Sequence, residues 1–240
     1  YLLGEQDRIV GVSGYAVRPP QVRREKPRVA AFISADIPKI LALEPDLVLT
    51  FSDLQADIVA GLIRAGIAVH AFNQRDIAGI LAMIRTVGAL VGVPDKADAL
   101  ACSFEDRLAR IAAGANGALR PRVYFEEWDD PLISGIGWVS ELVGIAGGKD
   151  VFPELSAKKS ATERIVAPEA VIAAAPDVIL ASWCGKKVVP DKIRRRPGWD
   201  AIPAVRNGRI VEIKSTIILQ PGPAALTDGL DAIAAVLRTI

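Results

Sequence analysis

Four carboxylates crowd one stretch of the chain: Glu126, Glu127, Asp129 and Asp130, just after the apolar run RVYF. Paired carboxylates serve acid–base and glycosidic chemistry when one is kept protonated and the other ionised. The plainer reading of EEWDD is a solvated loop at the mouth of a cleft. The rest of the reactive inventory is thin. His70 is the only histidine, and inside IAVHAF a core or strand-end place suits it better than ligation or proton transfer. Cys102 falls in a helical pattern and Cys184 in SWCGKK, in different halves of the chain, so no disulfide is expected. One histidine and two distant cysteines make no zinc set. GxSxG, P-loop and GxGxxG motifs are absent, and the glycines of GVSGY have the wrong spacing for a dinucleotide. Arg194, Arg195 and Arg196 could meet an anion, although a solvated helix end explains them as well.

The elements that must position these residues are announced by a phrase written twice. Residues 39–50 read KILALEPDLVLT and residues 170–181 read AVIAAAPDVILA. Each is a helix end, Pro-Asp, then an apolar strand, which suggests two similar α/β lobes. In the first half, residues 8–15 read as a strand and Asp36–Leu43 as a helix with Asp36 as N-cap. Asp46–Phe51 reads as a strand buried on both faces. A helix over residues 53–65 closed by Gly66, a strand over 67–72 and a helix over 76–91 complete the alternation of a parallel, doubly wound sheet. From Pro94, apolar positions keep helical spacing as far as AAGANG, a long helix that would connect the lobes.

The second half restarts with a strand over 121–126, a loop EWDDPLISGIG and a helix over 138–146 capped by Gly147-Gly148. A polar loop follows over 153–164. Then come a helix over 168–174, a strand over 177–181, a short helix over 198–201, a strand over 209–213 and a closing helix over 223–237. In open α/β sheets ligands bind beyond the carboxyl ends of strands. Tyr15, Phe51, Trp128 and Trp183 fall there, though aromatic residues are only 5% of the chain. Such a set suits a ligand with large apolar or planar surface.

Composition limits the classes. In 240 residues, 51% are hydrophobic and mean hydropathy is +0.30, which excludes disorder. The 29 basic and 28 acidic residues nearly cancel, leaving no field for nucleic acid or anionic lipid. No apolar run reaches the ~18–20 residues that cross a membrane. The opening YLLGEQDRIVG has neither a basic segment nor a cleavage site. It reads as a helix end with a C-cap glycine, so the start of the fold is expected upstream.

Taken in order, RIVGVSGY…PPQV, KILALEPDLVL, VYFEEW…PLISGIGWVSELVGIAGG, PEAVIAAAPDVIL and GWDAIPAVRNGRI resemble one class of periplasmic binding proteins. That class serves cobalamin and iron–siderophore ABC importers, and the likeness is nearest to its cobalamin-binding branch. The resemblance implies an α/β fold of two Rossmann-like lobes, each a mostly parallel sheet with flanking helices, joined by one long rigid helix. The expected division is residues 1–92, a connecting helix over 93–116 and a C-terminal lobe over 117–240, with the first strand of the N-terminal lobe missing. By the same resemblance Tyr15 lines the pocket, and Phe32 and Phe51 stand where the branch has tryptophans. Trp128 and Leu132 lie over the ligand, while Trp183 and the segment from Thr216 to Gln220 complete the cleft. That last segment often carries Asp and Arg in the branch, where this chain has Thr216 and Gln220. Two surface glutamates dock such proteins onto a permease. One matches Glu169; the other position is Pro38, with Asp36 the nearest acid.

The resemblance implies a periplasmic or lipid-anchored monomer, free of nucleic acid, that delivers a metal chelate to an ABC importer. The expected cargo is a corrinoid of the cobalamin type, with no catalytic cofactor and no metal-ligating side chain. A ferric siderophore or haem is the alternative cargo, the first using Arg194–Arg196 and the second Tyr15 or His70 as axial ligand. A small enzyme using Glu126, Glu127 or Asp129, and a sensing or storage protein of the same fold, are the rivals from other classes.

Overall fold

The computed structural model describes residues 1–115 and 120–240. The Asn116-Gly117 stop, and the start of a C-terminal lobe at residue 117, lie outside the described residues. Packing divides the chain into two compact units, residues 1–74 with 85–98, and residues 75–84 with 99–240.

In the N-terminal unit the elements are β1 Val12–Ser13, α1 Val22–Glu25, β2 Arg28–Ala30, α2 Ile37–Leu41, β3 Val48–Phe51, α3 Ala56–Arg64 and β4 Val69–Phe72. β1 pairs in parallel with β2, and β3 in parallel with β4, as two separate two-stranded sheets. The long strand expected over residues 8–15 shrinks to Val12–Ser13, because Gln6–Arg8 close a 3-10 turn. Asp36 caps α2 as expected: the Lys39 N–H donates to its Oδ1 at 3.0 Å, satisfying one of the helix's orphan donors. Gly66 follows α3 at φ +84°, the left-handed turn a C-cap glycine permits. β3 is not buried on both faces, since Leu49 is 44% exposed.

Two helices link the sheets of the two halves in sequence, α4 Ile77–Leu90 and α5 Pro94–Ala115. The division between units passes through both, after Ile84 and after Asp98. At their turn Gly88 is indispensable. A Cβ there would stand 2.0 Å from the Ala97 Cβ, so even alanine would force the helices apart.

The C-terminal unit contains β5 Arg122–Asp129, β6 Leu132–Ser134, α6 Gly137–Ile145, β7 Lys149–Asp150, α7 Pro153–Ser156, α8 Pro168–Ala174, β8 Val178–Ala181, α9 Pro190–Arg194, α10 Pro203–Arg206, β9 Ile210–Glu212, α11 Ser215–Ile218 and α12 Leu230–Leu237. Its five-stranded sheet runs β6-β5-β8-β9, with β7 also on β5, and every pairing is parallel except β5–β6. EWDDPLISGIG is therefore not a loop: β5 continues to Asp129 and turns back through β6. The polar stretch 153–164 likewise contains α7 and a 3-10 turn at Thr162–Arg164. The closing helix opens with a π-helical turn at Ala225–Gly229 before α12.

All four residues of β8 are buried. At about 1.5–3 kcal/mol for each large aliphatic side chain, this strand is a main source of the unit's stability. On one face of the sheet Tyr124 meets Phe152 and Trp199 edge-on, at centroid distances of 5.8 and 6.3 Å, favourable geometry for aromatic pairs. Val123 and Phe125 alternate to the other face. There Gly148 lets the chain pass within contact of Val123, Val143 and Leu237.

Candidate functional site

Each unit presents the carboxyl ends of its parallel strands as a row of loops. In the N-terminal unit Tyr15 follows β1, Phe32 follows β2 and Phe51 closes β3. Tyr15 is 53% and Phe32 37% exposed, large apolar surfaces open to solvent. A residue the sequence did not single out, Gln55, joins two of these ends. Its Oε1 accepts from the Phe51 N–H at 2.9 Å and its Nε2 donates to the Phe32 carbonyl at 2.6 Å. Gln55 is placed by the turn at Ser52, whose Oγ accepts from the Leu54 N–H at 3.3 Å, and the only local hint was S-D-L-Q after an apolar strand. His70 lies on β4 with its ring 4.4 Å from that of Phe72, a strand-end packing place.

In the C-terminal unit the ends of β5, β8 and β9 carry Trp128, Trp183 and the segment from Thr216 to Gln220. The acidic group is not a solvated loop. Glu126 is buried, and Arg196 grips it with both Nη atoms, at 2.5 and 2.9 Å, while Trp183 Nε1 donates to its Oε1 at 3.0 Å. Glu127 receives Arg164 through two hydrogen bonds of 2.7 and 3.0 Å, and that buried guanidinium also donates to the Ser134 carbonyl. Asp129 accepts from Lys186, and from Lys192 at 2.6 Å. Burial pushes the Asp129 carboxyl up, but the hydrogen bonds and charges of the two lysines outweigh it and hold it below the usual range. Arg196 is thus no solvated helix end. All three carboxylates are engaged in ion pairs, Glu126 with Arg196, Glu127 with Arg164 and Asp129 with both Lys186 and Lys192.

Trp183 is 2% exposed and belongs to the hydrophobic cluster with Tyr124, Ile179 and Trp199, so its expected place on a ligand surface is withdrawn. Leu132 lies in the same cluster and is buried as well. Trp128 stays half-buried, with Lys186 Nζ 4.2 Å from its ring centroid, a cation–π contact, and its Nε1 donating to the Asp130 carbonyl at 3.0 Å. Thr216 on α11 and Gln220 after it are also half-buried. Burial first, and the Glu127 charge second, push the Cys184 thiol up, which keeps it protonated and weakly nucleophilic. Among the described residues no group of three His, Cys, Asp or Glu side chains could hold a metal ion.

Asp36 and Glu169 occupy related places. Both are exposed at the start of the helix that opens the repeated phrase, α2 in one unit and α8 in the other.

Aromatic strand ends on α/β scaffolds, with the nearby carboxylates neutralised, describe a protein that captures a ligand. The family described as Periplasmic binding protein matches residues 1–217, and the chain belongs to it. A substrate-binding lipoprotein of an ABC transporter from Bacillus subtilis, itself uncharacterized, is 26% identical over 98% of this chain and 74% of its own length. A cobalamin-binding protein from Halobacterium salinarum is 25% identical over 92% of this chain, which spans less than two thirds (61%) of that relative. The solved structure of a periplasmic haem-binding protein from Roseiflexus superposes with TM-score 0.81, at 25% identity, over 98% of this chain and 93% of its own. The protein is therefore a substrate-binding protein of the ABC importer class, acting outside the cytoplasmic membrane on a small molecule that it hands to a permease. No helix among the described residues is long and apolar enough to cross a membrane.

Proposed function

We propose that the cargo is a corrinoid of the cobalamin type and that the protein binds it without chemical change. The observation that carries this reading is the row of Tyr15, Phe32 and Phe51 at neighbouring strand ends, with Trp128 at the end of β5. Aromatic faces suit the apolar faces of a macrocycle, and Thr216 and Gln220 supply hydrogen-bonding groups for its amide rim. The likeness to a cobalamin-binding relative supports the same cargo. Asp36 and Glu169 are the proposed contacts with the permease, residues 93–116 the connector between lobes, and the monomer the working form.

Titration with cyanocobalamin and, separately, cobinamide, followed by absorbance and tryptophan fluorescence, tests the reading. Saturable binding with quenching is expected, and Tyr15→Ala weakens it about tenfold, the loss of ~1.4 kcal/mol of contact. Absence of binding to both corrinoids overturns it. Haem is the second reading, favoured by the exposed phenol of Tyr15 and by the haem-binding structural neighbour. A Soret shift with haemin that Tyr15→Phe abolishes would select it.

A further inference from the structure

One buried carboxylate holds two ammonium groups. Asp129, at the end of β5, has a side chain shut off from solvent. It accepts from Lys186 through Oδ1 and from Lys192, at 2.6 Å, through Oδ2. The chain brings these lysines in from the end of β8. It turns at Gly185, where φ is +77°, the Lys186 N–H donates to the Trp183 carbonyl at 3.3 Å, and Lys192 follows on α9.

The neighbouring ion pairs match one to one: Glu126 with Arg196, Glu127 with Arg164 and Glu212 with Lys214. Asp129 faces two cations. Asp130 and Lys187, both exposed, form no ion pair among the described residues and cancel each other in charge. Among the described residues the ends of β5 and β8 therefore carry one positive charge in excess. Like charges held this close repel, and an anion arriving beside them relieves the repulsion.

The two ammonium groups are anchored yet reachable. The Lys186 side chain is 41% and the Lys192 side chain 56% exposed. Aromatic rings fix their heads further. Lys186 Nζ lies 4.2 Å from the Trp128 ring centroid and 5.0 Å from that of Trp183, and Lys192 Nζ lies 5.7 Å from the latter. Each ammonium has three N–H donors, so one given to Asp129 leaves others for a further acceptor. Holding the heads in place beforehand spares the rotamer entropy that a free lysine loses on binding.

We propose that Lys186 and Lys192 form an anion-binding subsite beside Trp128, which takes one phosphate or carboxylate carried on a flat apolar body. The subsite deepens the reading in which Trp128 meets the cargo, and rests on it. For a corrinoid it selects complete cobalamin, whose nucleotide loop contains a phosphodiester, over cobinamide, which has none. For haem it takes a propionate.

The test compares cyanocobalamin, cobinamide and haemin on the parent, Lys192→Gln and Lys192→Arg. Lys192→Gln should weaken cyanocobalamin about tenfold and change cobinamide by less than about twofold, while Lys192→Arg keeps the parent's affinity for both. On the parent, raising ionic strength from about 0.05 to about 0.5 M should weaken cyanocobalamin more than cobinamide. Equal losses for the two corrinoids in Lys192→Gln, or no loss for either, overturn the subsite; equal losses would mark the lysine as a prop for Trp128 alone. If the parent binds neither corrinoid, the cargo reading fails by itself and haemin decides. A loss of about tenfold for haemin in Lys192→Gln then sustains the subsite, and unchanged affinity overturns it. Failure of all three to bind overturns both.

Discussion

β3 and β8 are nearly the same sentence of sequence, yet they live in different surroundings. In β8 every residue is buried between β5 and β9, whereas in β3 only Thr50 is buried and Leu49 is 44% exposed. Both follow a short helix and a Pro-Asp, and both pair in parallel with a strand that comes later in the chain. What differs is the neighbour on the other edge. Pro-Asp and a β-branched run are enough to make a strand; burial needs two flanking strands, and sequence separation hides the second.

The largest test of this contrast acts on the C-terminal unit's ion pairs. Glu126→Ala removes the buried partner of the half-buried Arg196, and chemical denaturation should report a loss of about 3–5 kcal/mol. A loss below 1 kcal/mol would mean that the pair is no part of the unit's stability. Next come matched truncations at equivalent places in the repeat. Leu180→Ala should cost about 2–5 kcal/mol and Leu49→Ala about 0.5 kcal/mol or less. Equal costs would erase the difference between the two strands. A smaller effect separates the helices that open the repeat. Asp36→Ala removes the cap of α2 and should cost about 1 kcal/mol, whereas Glu169→Ala, with no cap hydrogen bond at α8, should leave the melting temperature unchanged.

The last test concerns pH. The Asp129 carboxyl is held below its unfolded value, near 3.9, so its contribution is complete above that value and is lost as pH falls through the lower folded one. Stability measured from pH 5 to 2 should fall less steeply in Asp129→Asn than in the parent. An unchanged slope would show that Lys186 and Lys192 do not bias its titration.

Local signals carried much of the architecture. Asp36 capped its helix, α8 spanned the residues its pattern predicted, and Gly66 stopped the chain where a left-handed turn was needed. The resemblance led to the family that the match over residues 1–217 established. Legibility ended where partners are distant in sequence. EWDD reads as solvated because nothing near it announces Arg196, Arg164 or Lys186, each far along the chain. The β5–β6 hairpin hid for a related reason, since Asp130-Pro131 looks like the end of an element when it is the bend between two. Trp183 at a strand end looked available to a ligand, but its indole N–H belongs to Glu126.

Gln55 deserves a last consequence. Its side-chain amide offers a C=O and an N–H in place of a peptide unit, accepting from Phe51 and donating to Phe32. It is a counterfeit link of backbone, and it acts as a ruler. Any strand running along β3 must end where Gln55 already occupies the Phe51 N–H, so sheet growth halts there by construction. The aromatic rings beyond that mark are thereby kept out of the weave.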